Sequence, residues 1–443
     1  MASNENRVEK KGRDFDSIHN NFVKNLENLK LFVNNLTPIA LKHDKRFKDN
    51  LENAGKKLAK ICGIPLQADT NKSQVKLKLT EKKKNQIESL LRKIPQLASR
   101  SIIPANTELL YKSSFVILIS HFDFLISDLI RYYHRTYPDN LSGKEVSISF
   151  NELKAFDDIP EVLDYLINKE VEKILYSNLE DQKKYFKTYL KVDLKESIIP
   201  WNRINEATER RHIIVHNNDI INRRYLKNAD VSAMPSETTP QLKEGQKIGI
   251  GRDYLLTIFD EIFLAGIILI QSCWRKWKKD SIANADDILI QTIYEALSEE
   301  RWPIAQRLGL YSKECEVSNE QKRLYLDINY CQSLKWSGNG EQLIKELEKF
   351  DITSLRPIYL VAYYALKSDI KSFYKRVPDA IMIDNMDLNK FLEWPLFREF
   401  RKDPNYHKTI RTLLRSSKRK KAKVILHEES KPTPSQAEDL PAN

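Results

Sequence analysis

Thr107 to Tyr133 reads TELLYKSSFVILISHFDFLISDLIRYY. Its apolar residues Leu109, Leu110, Phe115, Ile117, Leu118, Phe122, Leu125, Ile126, Leu129 and Ile130 return every three or four positions, the period of a helix with one buried stripe. The same spacing appears upstream in Phe15, Ile18, Phe22, Leu26, Leu29, Val33 and Leu36, where Pro38 is expected to end or kink the helix. Further helices are expected over Leu51 to Cys62 and Glu81 to Leu97, with a polar connection around Gln67 to Gln74. Ile159 to Tyr189 should be helical with a break near Ser177, and Trp201 to Asn217 and Tyr254 to Trp277 should each form one helix. Residues 228 to 250 read as a surface loop with a short strand or two.

The remainder predicts shorter helices at about 287–308, 319–336, 341–350, 356–367, 369–377 and 387–402, separated by polar turns such as Ser337-Gly338-Asn339-Gly340. Helix pairs in series suggest an α-solenoid, without a strict repeat. Composition agrees with an all-α class: 41% hydrophobic and 30% charged residues, with only 11 Gly and 17 Pro to break helices. At 443 residues the chain is too long for one ordinary core. The expected organisation is a basic N-terminal helical region (1–105), a central helical bundle (106–285), a C-terminal helical-repeat domain (286–415) and a disordered basic and polar tail (416–443).

Net charge is +12, of which residues 1–100 carry +11 and residues 411–443 carry +4, leaving the middle near neutral. Such a basic flank suits a polyanion-binding arm, and equally a solvated, lysine-rich helical face. Cys62, Cys273, Cys315 and Cys331 lie far apart, which suggests reduced thiols rather than a zinc ribbon or a disulfide framework. The polar start, Met1 to Arg7, lacks an apolar signal region, so a cytoplasmic location is expected. The most apolar run, Ile262 to Ile270, is short for a membrane span and reads as a buried core helix.

The chemistry concentrates in Arg211-His212-Ile213-Ile214-Val215-His216-Asn217. Arginine and histidine separated by four residues are the elements of metal-independent phosphodiester cleavage. A histidine titrating near neutrality exchanges protons with a ribose 2′-OH or a leaving 5′-oxygen, while a permanently charged guanidinium holds the phosphate. A 2′-OH attack leaves a 2′,3′-cyclic phosphate and a 5′-hydroxyl. Arg211 and His216 are the expected catalytic pair, with His212 and Asn217 orienting the substrate. Ile213-Ile214-Val215 should anchor the helix, Asn217-Asn218-Asp219 should stop it, and its negative end should favour imidazolium at His216. On a straight helix Arg211 and His216 diverge by about 140°. Two such helices side by side would bring them to one phosphate, so the motif predicts a dimer.

His212 and His216 also have the four-residue spacing of a helical zinc pair, but Ile213 stands where a metalloprotease carries glutamate and no third ligand follows. No metal or other cofactor is expected. Arg401 and His407 repeat the spacing with Asp403-Pro404 breaking the helix between them.

The stretch ERRHIIVHNNDIINRRYL, residues 209–226, resembles the motif region of HEPN domains, an all-α fold found in higher eukaryotes and prokaryotes and associated with ribonucleases. Their signature is R-x4–6-H with Asn, Asp or His after the arginine, and Arg211, His212 and His216 fill those places. The resemblance spans about residues 106–280. It implies RNA cleavage without a metal in a homodimeric cleft, commonly in bacterial antiviral or toxin systems that attack host RNA, tRNA included. Some relatives carry a tyrosine two residues after the histidine that a partner nucleotidyltransferase modifies. Asn218 stands there in this chain, which argues against that control. A regulatory or sensor protein on the C-terminal helices is a further expected partner. The alternative reading is a non-catalytic scaffold that binds RNA or protein through the same cleft.

Overall fold

The computed structural model describes residues 14–62, 80–81, 84–89, 105–141, 148–229 and 242–429. Among them the chain is all-α: helices joined by short turns, one isolated antiparallel bridge between Ile220 and Lys247, and no strand. The expected loop tip at 234–240, the connection at 67–74 and most of the helix expected over 81–97 lie outside the described residues. Two compact units divide between Cys273 and Trp274, ahead of the 285/286 boundary expected from the sequence. Residue 105, expected to end a separate N-terminal region, falls inside the first unit.

The first unit contains α1 (Phe15–Cys62), α2 (Asn106–Thr136), α3 (Phe150–Leu153), α4 (Ile159–Leu175), α5 (Leu179–Thr188), α6 (Trp201–His216), α7 (Arg223–Asn228) and α8 (Arg252–Trp277), whose last turn belongs to the second. α1 runs through Pro38 as one helix of 48 residues, so neither the stop at Pro38 nor a separate helix from Leu51 is found. A proline inside a helix removes one N–H and crowds the carbonyl four residues back, a cost that packing must outweigh. Phe15, Ile18, Phe22, Leu26, Leu29, Val33 and Ala40 are buried, and α1 packs along α2. Thr37 takes the buried place beside half-buried Leu36, its hydroxyl donating to the Val33 carbonyl at 2.7 Å.

Beyond the proline, Asp44 caps α2, whose own N-cap residue, Ala105, has no side-chain acceptor. The backbone amides of Asn106 and Thr107 donate to the Asp44 carboxylate at 2.8 and 3.0 Å, and the Thr107 hydroxyl donates at 2.7 Å. Burial works to raise the Asp44 pKa, but these hydrogen bonds outweigh it and hold the carboxyl below its ordinary range.

α2 and α8 are each long and apolar enough to cross a membrane by length and composition, yet most of each apolar stretch is buried within the protein. In α8, Ile262, Leu264, Ala265, Ile267, Ile268 and Ile270 are fully buried. Gly266 lets the Phe22 ring lie against this helix, since a Cβ there would sit 2.2 Å from the ring. The break near Ser177 falls between α4 and α5, where the Asn178 side chain caps the second helix.

The second unit contains α9 (Ile282–Ser298), α10 (Trp302–Lys313), α11 (Glu320–Trp336), α12 (Gly340–Leu347), α13 (Pro357–Leu366), α14 (Ile370–Ile383), α15 (Leu388–Glu393) and α16 (Tyr406–Glu429). The helix expected over 287–308 is two, because Glu300 adopts a left-handed φ of 60° and Pro303 suits only a new first turn. The helix expected over 387–402 shortens to α15 and two 3-10 turns once Pro395 intervenes. α16 continues to Glu429, so the tail expected to be disordered from 416 is helical as far as that residue. Ser417 is buried on it, and the Lys, Arg and Ala that follow are good helix formers. Consecutive helices pack in pairs, α10 on α11 and α13 on α14.

Gly266→Ala is expected to lower unfolding free energy by about 1–3 kcal/mol, because its methyl group overlaps the Phe22 ring in a packed core. Urea denaturation measures it, and an unchanged midpoint would show that Phe22 does not pack as described.

Candidate functional site

α6 carries the motif and ends where the sequence predicts. The Asn217 amide closes the last turn on the Ile213 carbonyl at 2.8 Å, and Asn218 and Asp219 follow with φ of 49° and 65°. Asparagine and aspartate tolerate this left-handed region better than most side chains. The chain then pairs with residues 245–248: the Ile221 amide donates to the Gln246 carbonyl, and the Ile248 amide donates to the Asp219 carbonyl. Buried Asp219 forms an ion pair with Lys112 of α2, which Glu108 holds at 2.6 Å.

A buried carboxylate sets the rotation of α6 about its axis. Glu206 accepts from Arg210 Nε at 2.7 Å, from the Tyr225 hydroxyl at 2.5 Å and from the Tyr254 hydroxyl at 2.6 Å. The Arg210 guanidinium lies 3.9 Å from the Tyr254 ring centroid and donates to the Gly249 carbonyl at 3.2 Å. Ile213, one turn on, is buried against Ile221, Tyr225, Ala229 and Ile248. Ile214 is half-buried and Val215 exposed, so Ile213 alone of the expected apolar triplet is an anchor.

With Glu206, Arg210 and Ile213 inward, the remaining motif residues face outward. Arg211 is half-buried, and its Nε has no hydrogen-bond partner among the described residues. It lies near Asp123 of α2: burial pushes the Asp123 carboxyl up to about 6, and the Arg211 charge pulls it back only in part. His212 and His216 are in ring contact with centroids 4.8 Å apart, His216 being exposed at the helix end. Burial holds His212 below the ordinary histidine range, aided by the charges of Arg224, His216 and Arg211 and opposed by Glu209. Arg224 Nε lies 3.4 Å from the Glu209 carboxylate.

The structure therefore gathers Arg211, His212 and His216 about one end of α6 and adds Arg224 and Asp123, which sequence reasoning missed. Asp123 left a trace as an acid inside the apolar run Phe122-Asp123-Phe124-Leu125, and Arg224 stands within the quoted motif region. Asn217, expected to orient substrate, spends its amide on the turn, donating to the Ile220 carbonyl at 2.6 Å. Arg401 donates to the carbonyls of Phe391 and Trp394 from a 3-10 turn, while His407 lies exposed on α16. Among the described residues no three His, Cys, Asp or Glu side chains form a ligand set for a metal ion.

Glu206→Ala is expected to cost about 3–5 kcal/mol, since it strands a buried guanidinium. Glu206→Gln, which keeps an acceptor, should cost less in the same denaturation series. For Asp123 the folded pKa exceeds the unfolded one, so the native state holds a proton between about pH 6 and 4 that the unfolded chain has lost. Stability relative to Asp123→Asn should rise by about 2 kcal/mol as pH falls from 7 to 4; a pH-independent difference would refute this. No family model, curated protein or solved structure matches this chain.

Proposed function

We propose that the chain is a metal-independent endoribonuclease of HEPN type, acting on RNA, tRNA among its candidate substrates, inside the cell as the effector of a prokaryotic antiviral or toxin system. The observation that carries this reading is the pair of touching imidazoles, His212 and His216, set among the charges of Arg211 and Arg224 at the end of one helix. Neutral imidazole accepts a 2′-OH proton and imidazolium gives one to the leaving 5′-oxygen, so neighbouring histidines among fixed positive charges suit both halves of the transfer. Arg211, half-buried and permanently charged, is matched to the extra negative charge of the pentacoordinate transition state. His212 orients and desolvates His216 in this scheme.

Arg211 and His216 leave α6 on different sides, so the proposed active form is a homodimer in which two α6 helices line one groove. Exposed Val215 and Ile220 flank His216 and offer apolar contact for the second copy. Residues 106–273 are taken as the HEPN-like bundle, and the helices of the second unit as the seat of a regulatory or sensor protein that restrains it.

Purified chain incubated with total RNA and tRNA in EDTA should yield 2′,3′-cyclic phosphate and 5′-hydroxyl ends. Arg211→Ala and His216→Ala should each lower the rate by about 10²–10⁴-fold. Tight RNA binding without cleavage, equal in wild type and both variants, would instead favour the scaffold reading.

A further inference from the structure

A cavity of about 350 Å³ opens within the second unit between α9, α11 and α15. Tyr294, Tyr325 and Trp394 line it with flat aromatic faces. Asn329 also lines it and is only 4% exposed. Next to it the Glu393 carboxylate stands near the Tyr294 hydroxyl, helping to raise its pKa behind the larger effect of burial.

We propose that this cavity binds a nucleobase, with Asn329 reading its edge. An asparagine amide presents one donor and one acceptor side by side, the complement of the adjacent acceptor and donor on an adenine or similar heterocycle. Aromatic side chains stack on the face of any base. Asp387 and Glu393 at the mouth oppose only Lys390 among the lining residues, which favours the base and sugar over a polyphosphate. The base comes either from a free nucleoside or from an unpaired nucleotide of a strand; the recognition chemistry is the same. The site stands on its own geometry, whether or not α6 cleaves RNA.

Isothermal titration of the full chain carrying His216→Ala with adenosine, guanosine, cytidine and uridine tests it, alongside a short single-stranded DNA. At least one nucleoside should bind saturably, and Asn329→Leu should weaken that binding by about tenfold or more with the circular dichroism spectrum unchanged. If Asn329→Leu does not fold, Tyr294→Ala should weaken binding and Tyr294→Phe should retain it. Tighter binding of the DNA, competed by the nucleoside, assigns the site to a strand, whereas nucleoside binding alone assigns it to a free ligand. The proposal is overturned if no nucleoside binds up to about 10 mM, or if binding survives both Asn329→Leu and Tyr294→Ala undiminished.

Discussion

Glu206 accepts hydrogen bonds from Arg210, Tyr225 and Tyr254, and the orientation of every other motif residue depends on it. A helix can turn about its axis at little cost when only apolar contacts hold it. A buried carboxylate with three donors from three elements permits one angle, because any other leaves a charge unpaired in a low dielectric. α6, α7 and α8 thereby become one body, and His212, His216 and Arg211 face where that body directs them.

The two neighbouring arginines show how much such a lock decides. Arg210 and Arg211 are alike in chemistry and adjacent in sequence, yet one is closed into an ion pair against a tyrosine ring and the other keeps a free donor. Helical phase separates them: position 210 stacks over 206 and near 213, which are inward, while 211 turns about 100° away toward α2. Both arginines satisfy R-x4–6-H by spacing, and the burial of Arg210 in its ion pair is what distinguishes them.

Helices were legible because their stripes are long and regular, and both Asn178 and the Asn217-Asn218-Asp219 stop carry their own local chemistry. The continuation of the helix through Pro38 was not legible because the stripe that supports it packs on α2, a partner far away in sequence. Glu300 gave no warning either, being an ordinary helix former that adopts a positive φ between two helices. Residue types and spacing singled out Arg211, His212 and His216, which lie on the last turns of α6. Asp123 escaped because its importance lies in desolvation and in the nearness of Arg211, properties of packing between helices. Asn217 looked like a substrate ligand for the opposite reason: its hydrogen bond to Ile220 is local, but it exists only once the turn has closed.

Ala40 is buried on α1 and Asp44 holds the start of α2, and the helix continues to Cys62. At 1.5 Å per residue the eighteen positions after Asp44 extend about 27 Å. Between 42 and 62 stand seven Lys and Arg against three Asp and Glu. Like charges along one helix repel, and the repulsion grows as salt falls. Salt or a bound polyanion relieves that repulsion, so the row of charges that costs this helix stability is also the one that attracts negative charge to it.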